Sequence, residues 1–74
     1  MFNVYELGSD WTQEGVLISS HKTQELAEKR IMKEAKKRVK TVYYIRKNYM
    51  SENHIVYDYG LWNRFLAIRY EEDK

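Results

Sequence analysis

Histidine, serine and carboxylate side chains are considered first, because they can serve as nucleophiles, bases or metal ligands. The sequence has two histidines, His21 and His54, and no cysteine. Neither histidine has a partner at the spacing of a metal site. Ser19 and Ser20 directly precede His21, whereas a nucleophile and its base normally converge from separate positions. We therefore expect no catalytic residue, no metal ligand and no cofactor site, and we predict that the protein is not an enzyme.

Phosphate-binding loops and paired carboxylates are also missing. Gly8, Gly15 and Gly60 are isolated rather than grouped in a glycine-rich loop. Asp58 lies between two tyrosines, and a general acid needs a sheltered site that shifts its pKa. A chain of 74 residues has little room for a deep cleft. Binding is therefore the expected activity.

Lysine is the residue type with the most suggestive spacing. Residues 22–40 carry eight basic and three acidic side chains, a net charge of +5, whereas residues 1–21 carry −3 and residues 41–74 sum to zero. On a helical wheel six lysines fall in an arc of about 100°. We call them the lysine ridge: Lys22, Lys29, Lys33, Lys36, Lys37 and Lys40. Such a ridge suits the phosphates of nucleic acid or an acidic protein patch, although a plain solvated face is the alternative.

Aromatic residues provide a second candidate surface, because tyrosine and tryptophan beside arginine can stack on bases or anchor protein interfaces. The aromatic residues of the second half interleave with arginine and lysine, and the alternative is that most of them form the core. From both surfaces the candidate binding residues are Lys29, Lys33, Lys36, Lys37, Lys40, Arg46, Tyr57, Tyr59, Trp62 and Arg64.

One amphipathic helix must position the lysine ridge. Thr23 is a suitable N-cap, and good helix formers continue to about Lys40, so we predict a helix over about 23–40. Its buried face should consist of the apolar residues that share one arc, which are Ala27, Ile31, Met32, Ala35 and Val39.

Strands are predicted on both sides of this helix. Two lie before it, at 2–7 and 16–19, and two after it, at 41–49 and 54–59. Residues 62–70 fit either a strand or a helix, and the strand is favoured. The order β-β-α-β-β-β predicts an α+β fold, with a mostly antiparallel sheet of four to five strands and the helix packed on one face. Residues 71–74 should be a frayed tail.

Composition is typical of one small domain over residues 1–74. Hydrophobic residues make up 43% of the chain, which argues against disorder. No apolar run is long enough for a membrane span, and the N-terminus lacks the layout of a signal peptide. We therefore expect a cytoplasmic protein that does not bind membranes. Because so short a chain has a thin core, a homodimer is an open alternative.

Three segments resemble those of small accessory proteins from phages and mobile elements. They are the helix start at 23–28, Tyr43-Tyr44-Ile45 after the helix, and 57–62 near the end. The resemblance spans most of the chain and implies a protein that acts by stoichiometric binding, for instance to a host or defence component. A DNA-mimic mechanism is not expected, because such inhibitors have an acidic surface and this ridge is basic.

Two functions follow from these patterns. The first is a non-enzymatic interaction or regulatory protein that binds a protein partner, as the aromatic content and the half-covered sheet suggest. The alternative is a nucleic-acid-binding module that uses the basic helix face and exposed aromatic residues.

Overall fold

A computed structural model describes residues 1–10 and 15–72. The elements are β1 (Phe2–Leu7), β2 (Val16–His21), α1 (Gln24–Arg38), β3 (Arg46–Ser51), β4 (His54–Asp58) and β5 (Phe65–Tyr70). The five strands form one sheet in the order β2-β1-β5-β4-β3, with every neighbouring pair antiparallel. The predicted α+β fold and its order of elements are confirmed. The predicted loop residues 11–14, including Trp11, and the tail residues 73–74 lie outside the described residues.

Helix α1 begins and ends close to the predicted positions. The Thr23 hydroxyl accepts a hydrogen bond from the Leu26 amide at 3.2 Å, so Thr23 is the N-cap. Val39 is already extended and ends the helix two residues early. Ala27, Ile31 and Ala35 are buried as predicted, whereas Met32 is exposed. Glu34 is buried as well, although it was not predicted on the buried face.

Strand boundaries differ from the prediction after the helix. Residues 41–45 form a loop, and β3 begins only at Arg46. In this loop Val42 and Ile45 pack against the core, so the β-branched residues serve as anchors for a connection rather than as a strand. The strand interpretation of 62–70 is correct from Phe65 onward, while Trp62 lies in the preceding loop.

The core occupies both faces of the sheet. Between the sheet and α1 lie nine buried residues: Val4, Ala27, Ile31, Ala35, Ile55, Tyr57, Tyr59, Leu66 and Ile68. On the opposite face Leu7, Val56 and Ala67 are buried, and Tyr5 and Phe65 pack against them. The guanidinium carbon of Arg69 lies 4.6 Å from the centre of the Tyr5 ring. The helix-free face is therefore partly covered by its own side chains.

The chain termini meet beside β1. The N-terminal amine of Met1 donates to the carbonyl of Glu71 at 2.7 Å, and the Glu71 amide donates to the Met1 carbonyl. The Glu71 carboxylate also accepts hydrogen bonds from Asn3 and from the Tyr5 hydroxyl. The prediction of a frayed tail is therefore wrong for Glu71, which is bonded at both its backbone and its side chain.

Candidate functional site

Four lysines of the ridge lie on the side of α1 that faces away from the sheet: Lys29, Lys33, Lys36 and Lys37. The prediction that one helix carries all six is wrong for Lys22 and Lys40, which lie just outside its two ends because Thr23 is the N-cap and Val39 is extended. Lys29, Lys33, Lys36, Lys37 and Lys40 are all exposed. Among the described residues, Lys37 is the only one of these five that forms an ion pair, with its Nζ 3.3 Å from Glu34 Oε2. The remaining four have no carboxylate within 4.0 Å in the described part of the chain. Apart from Lys37, the ammonium groups along this surface therefore have no bonded carboxylate in residues 1–10 and 15–72.

The glutamates of α1 are turned toward the protein instead. Only 6% of the Glu34 side chain is exposed, and its carboxylate accepts hydrogen bonds from Arg30 Nε at 2.8 Å and from Arg38 Nη1 at 2.9 Å. Arg38 then reaches β1, where its Nε donates to Glu6 Oε2 at 2.6 Å. These groups form a charged cluster between helix and sheet in which every charge has an opposite neighbour.

Hydrogen bonding controls the ionisation of this cluster. Burial by itself raises the pKa of the Glu34 carboxyl, because it penalises the charged form. The hydrogen bonds from Arg38, Arg30 and Lys37 act in the opposite direction and prevail, so the pKa is lowered from 4.5 to about 2. Glu34 is therefore ionised at neutral pH, and its negative charge is already compensated by basic side chains of the protein.

Glu28 is occupied in a similar way on the other flank of α1. It accepts hydrogen bonds from Lys47 Nζ at 2.6 Å and from the Tyr57 hydroxyl at 3.2 Å. The bond to Glu28 raises the pKa of Lys47 despite partial desolvation of the ammonium group. Of the three helix glutamates, Glu25 alone is exposed, in the first turn and away from the Lys33–Lys40 end.

Two of the predicted aromatic binding residues are core residues. Tyr57 and Tyr59 are each only 2% exposed and belong to the cluster beneath α1. Tyr57 points toward the helix because it is paired with Leu66 in a strand whose helix-facing residues fill the core. Their ring faces cannot meet a partner, and we remove both from the candidate site.

Other aromatic residues are strongly exposed. Trp62, as predicted, is 84% exposed, and Tyr43 is 88% exposed. Tyr44 is exposed as well, and the Arg46 guanidinium carbon lies 5.9 Å from its ring centre. Tyr43 was one of the aromatic residues of the second predicted surface but was not among the candidate binding residues. The sequence feature that could have assigned Tyr43 to the site is its position three residues after the last lysine of the ridge.

The helix C-terminus and the exposed aromatic loops share one end of the molecule. Arg38 bonds to Glu6 near the end of β1, and Arg46 at the start of β3 is paired with Asp58 at the end of β4. Arg64 directly precedes β5, whose first residues Phe65 and Leu66 pair with Leu7 and Glu6 at the end of β1, so Arg64 also lies near this end. Burial raises the pKa of the nearby Tyr59. Arg46 and Arg64 are exposed there, as the binding hypothesis requires.

A serine and a histidine of β2 are in contact, and their geometry can be compared with that of a catalytic pair. Ser19 Oγ lies 2.8 Å from His21 Nε2, because residues two apart in β2 point to the same side of the sheet. The two side chains are therefore within hydrogen-bond distance although they are close in sequence. In the described residues, however, no carboxylate is bonded to His21, and neither cavity of the structure includes the pair. The third group that orients a catalytic base is thus missing from this contact.

His54 offers no better catalytic site. Its Nε2 lies 3.4 Å from Arg69 Nε, and its pKa is lowered by burial and by the Arg69 charge. Within 1–10 and 15–72, no group of three histidine or carboxylate residues is placed to hold a metal ion.

The larger cavity, about 400 Å³, lies at the loop end of the sheet. Its lining is mixed polar and apolar, and consists of Glu6, Leu7, Gly8, Gly15, Val16, Asn63 and Arg64. Glu6 already bonds to Arg38, so the described lining residues contain no free acid–base pair.

Comparison with known proteins adds no family to these observations. No protein-family model matches the chain, and neither does any curated protein or any solved structure. Helix α1, with 15 residues and many charges, does not meet the requirements of a membrane-crossing helix, and the described residues contain no other candidate. The class of protein that the fold and the site define is a small α+β protein with a basic helix face.

Proposed function

We propose that this protein binds nucleic acid without changing it chemically, and that the lysine ridge contacts the phosphates. One observation carries the proposal: three lysines on the outward face of α1, together with Lys40 just beyond its end, have no anionic partner among the described residues, while Glu28 and Glu34 of the same helix are paired on the protein side. The side of the helix that a partner meets is therefore almost purely positive. We place this activity in the cytoplasm, as the sequence predicts.

Lysine composition favours nucleic acid over an acidic protein as the partner. Lysine is depleted in protein–protein interfaces, where arginine and aromatic residues are enriched. Phosphates need no fixed geometry from the cation, because the attraction is largely a release of counterions. Lys29 and Lys36 are about 10 Å apart along the helix axis, since each residue adds about 1.5 Å. That length matches about three phosphates along one strand of a duplex.

The test is the salt dependence of binding to a fluorescein-labelled 20-base-pair DNA duplex. If four lysines each contact a phosphate, the logarithm of the affinity should fall with the logarithm of salt concentration at a slope of about −3.6. Lys33→Gln with Lys36→Gln should reduce that slope by about 1.8 and weaken binding at 50 mM salt at least tenfold, by the order of magnitude of counterion release. Lys37 is left intact because it is bonded to Glu34.

A matched control changes the charge by the same amount elsewhere. Asn48→Asp with Asn53→Asp lowers the net charge by two on the exposed β3–β4 hairpin. If this control weakens binding as much as the lysine variant, the attraction is general rather than local to the ridge. Equal affinity of the lysine variant and the unchanged protein, or no binding at 50 mM salt, would contradict the proposal.

A protein partner is the second candidate, and one surface favours it. Val16 and Leu17 are both exposed on β2, an edge strand whose outer backbone groups have no neighbouring strand in the sheet. An exposed apolar edge can add a strand from another chain. The resemblance to phage accessory proteins also implies stoichiometric binding of this kind, and a second copy of this chain could occupy the same edge.

Leu17→Lys separates this candidate from the first. It should remove a complex formed through β2 and leave oligonucleotide binding unchanged, because Leu17 lies outside the lysine ridge. Light scattering after gel filtration would show a homodimer directly. An unchanged complex with Leu17→Lys would exclude the β2 edge.

A further inference from the structure

Tyr43 and Trp62 place large rings in solvent beside residues that anchor their loops. Val42 and Leu61, their chain neighbours, pack against the core, so the fold does not need the two rings for its own packing. Both rings are more than four-fifths exposed. Burying a ring of this kind stabilises a contact with a partner, since its apolar area leaves water only on binding.

The two rings lie at the end of the lysine ridge. Tyr43 follows Lys40 by three residues, which limits the distance between their Cα atoms to about 11 Å. Trp62 precedes Arg64 by two residues, in the loop that leads into β5 beside the end of β1, where Glu6 bonds to Arg38. Arg46 begins β3 at the same end. Exposed rings and exposed cations are therefore combined in one region.

Exposed rings beside cations favour single-stranded nucleic acid over a duplex. In a duplex the flat faces of the bases are stacked on one another and only the edges and phosphates are accessible. In a single strand the base faces are free, and aromatic side chains stack on them whatever the sequence. Cations alone bind both forms, whereas exposed rings contribute only to the single-stranded one.

We infer that the protein binds single-stranded nucleic acid in preference to duplex, with bases stacked on Tyr43 and Trp62 and neighbouring phosphates held by Lys36, Lys40 and Arg64. The inference rests on the proposed function and specifies its ligand. Sequence preference is not expected, because every base has a face for stacking.

Three labelled ligands test the inference by fluorescence anisotropy at 50 mM salt. They are a mixed-sequence single-stranded 12-mer, its duplex, and an abasic 12-mer that keeps the phosphates but lacks the bases. The protein should bind the single strand at least fivefold more tightly than the abasic strand, which corresponds to the lower bound for stacking one base. The duplex should be bound more weakly than the single strand as well.

Ring substitutions locate the effect. Trp62→Ala and Tyr43→Ala should each weaken binding of the single strand at least fivefold and leave binding of the abasic strand unchanged. Tyr49→Ala is the matched control, because Tyr49 is also exposed but lies on β3 toward the opposite end of the sheet. In a Trp11→Phe background, the fluorescence of Trp62 should be quenched by the single strand and not by the abasic one. Thermal unfolding of each variant checks that the fold is retained.

The outcomes separate the inference from the proposed function. Equal affinity for single, abasic and duplex ligands, with no effect of the ring substitutions but a clear effect of Lys33→Gln with Lys36→Gln, would overturn the inference and leave phosphate binding in place. No affinity for any of the three ligands would overturn both. Loss of binding in Tyr49→Ala as large as in Trp62→Ala would also contradict the assignment of the rings.

Discussion

Both sides of α1 carry charged side chains. On the side facing the sheet they are paired, whereas on the side facing solvent most have no partner among the described residues. On the side facing the sheet, Glu34 lies 2.8 Å from Arg30 and 2.9 Å from Arg38, and Glu6 of β1 completes the cluster. On the side facing solvent, Lys33 has a lysine four residues away in each direction and no carboxylate nearby in the described chain.

This difference shows which charges serve the fold. A buried ion is tolerated only when it is paired, and removing one partner is costly. Like charges four residues apart on a helix are mildly destabilising, by a few tenths of a kcal/mol for each pair. The inward cluster therefore contributes to stability, whereas the lysine ridge slightly opposes it. A surface that the fold does not require is a better candidate for binding.

The largest expected effect is a loss of folding stability in acid, where the Glu34 carboxylate of the inward cluster is protonated. The pKa of Glu34 is about 2 in the folded protein and 4.5 as its ordinary value, so the unfolded chain takes up the proton more readily. The stability that Glu34 contributes is fully present above about pH 4.5 and is lost as the pH falls toward about 2, by about 3 kcal/mol in all. Urea unfolding between pH 7 and pH 2.5 measures this loss.

The same series on Glu34→Gln provides the control for the acid effect. Its stability should depend less on pH in that window, although Glu71, whose pKa is lowered chiefly by hydrogen bonds from Tyr5 and Asn3, still contributes to the slope. Identical slopes for the two proteins would show that other carboxylates dominate acid unfolding.

At neutral pH, Glu34→Gln should lower the free energy of unfolding by about 2 kcal/mol, because it leaves the partly buried Arg38 with one carboxylate instead of two. The comparison is Glu72→Gln, an exposed residue near the C-terminus, which should change stability by less than about 0.5 kcal/mol. Similar values for the two variants would remove the distinction between inward and outward charges.

The smallest expected effect is a gain in folding stability rather than a loss. Lys33→Gln removes two like-charge pairs, with Lys29 and Lys37, and replaces one good helix former with another. The free energy of unfolding should rise by about 0.5 kcal/mol at low salt, and 1 M salt should abolish the gain. Lys47→Gln, which loses its bond to Glu28, should instead be destabilising by up to about 1 kcal/mol. A destabilising Lys33→Gln would indicate that the ridge has a structural role.

Local sequence signals predicted the helix better than the strands. The Thr23 cap and the spacing of Ala27, Ile31 and Ala35 act within a few residues, so they were visible in the chain. The segment 41–45 has the composition of a strand, but Val42 and Ile45 are anchored on the core instead. Composition cannot separate these two uses of β-branched residues, because both bury the same apolar area.

Of the candidate site, the sequence predicted the grouping of the lysines but not the exposure of the aromatic residues, again because only local signals are visible in the chain. Helical spacing alone was enough to group the lysines. The fate of the aromatic residues depended on strand register and on loop paths: Tyr57 and Tyr59 became core, while Tyr43 and Trp62 remained in solvent. A shift of one residue in a strand exchanges its two faces, so which of these rings are buried depends on how the strands pair.

The sequence by itself determined a helix with a continuous basic face, since side-chain direction follows from 3.6 residues per turn. Only the tertiary structure decided that, in the described residues, Glu28 is turned away from this face, leaving Glu25 as the exposed carboxylate of α1. Glu28 is held by Lys47 and Tyr57, which lie on strands far away in the chain and come near only once the sheet has formed. Glu34 is held by Arg30, Lys37 and Arg38, which lie one turn away on the same helix, so its pairing follows from the helix itself.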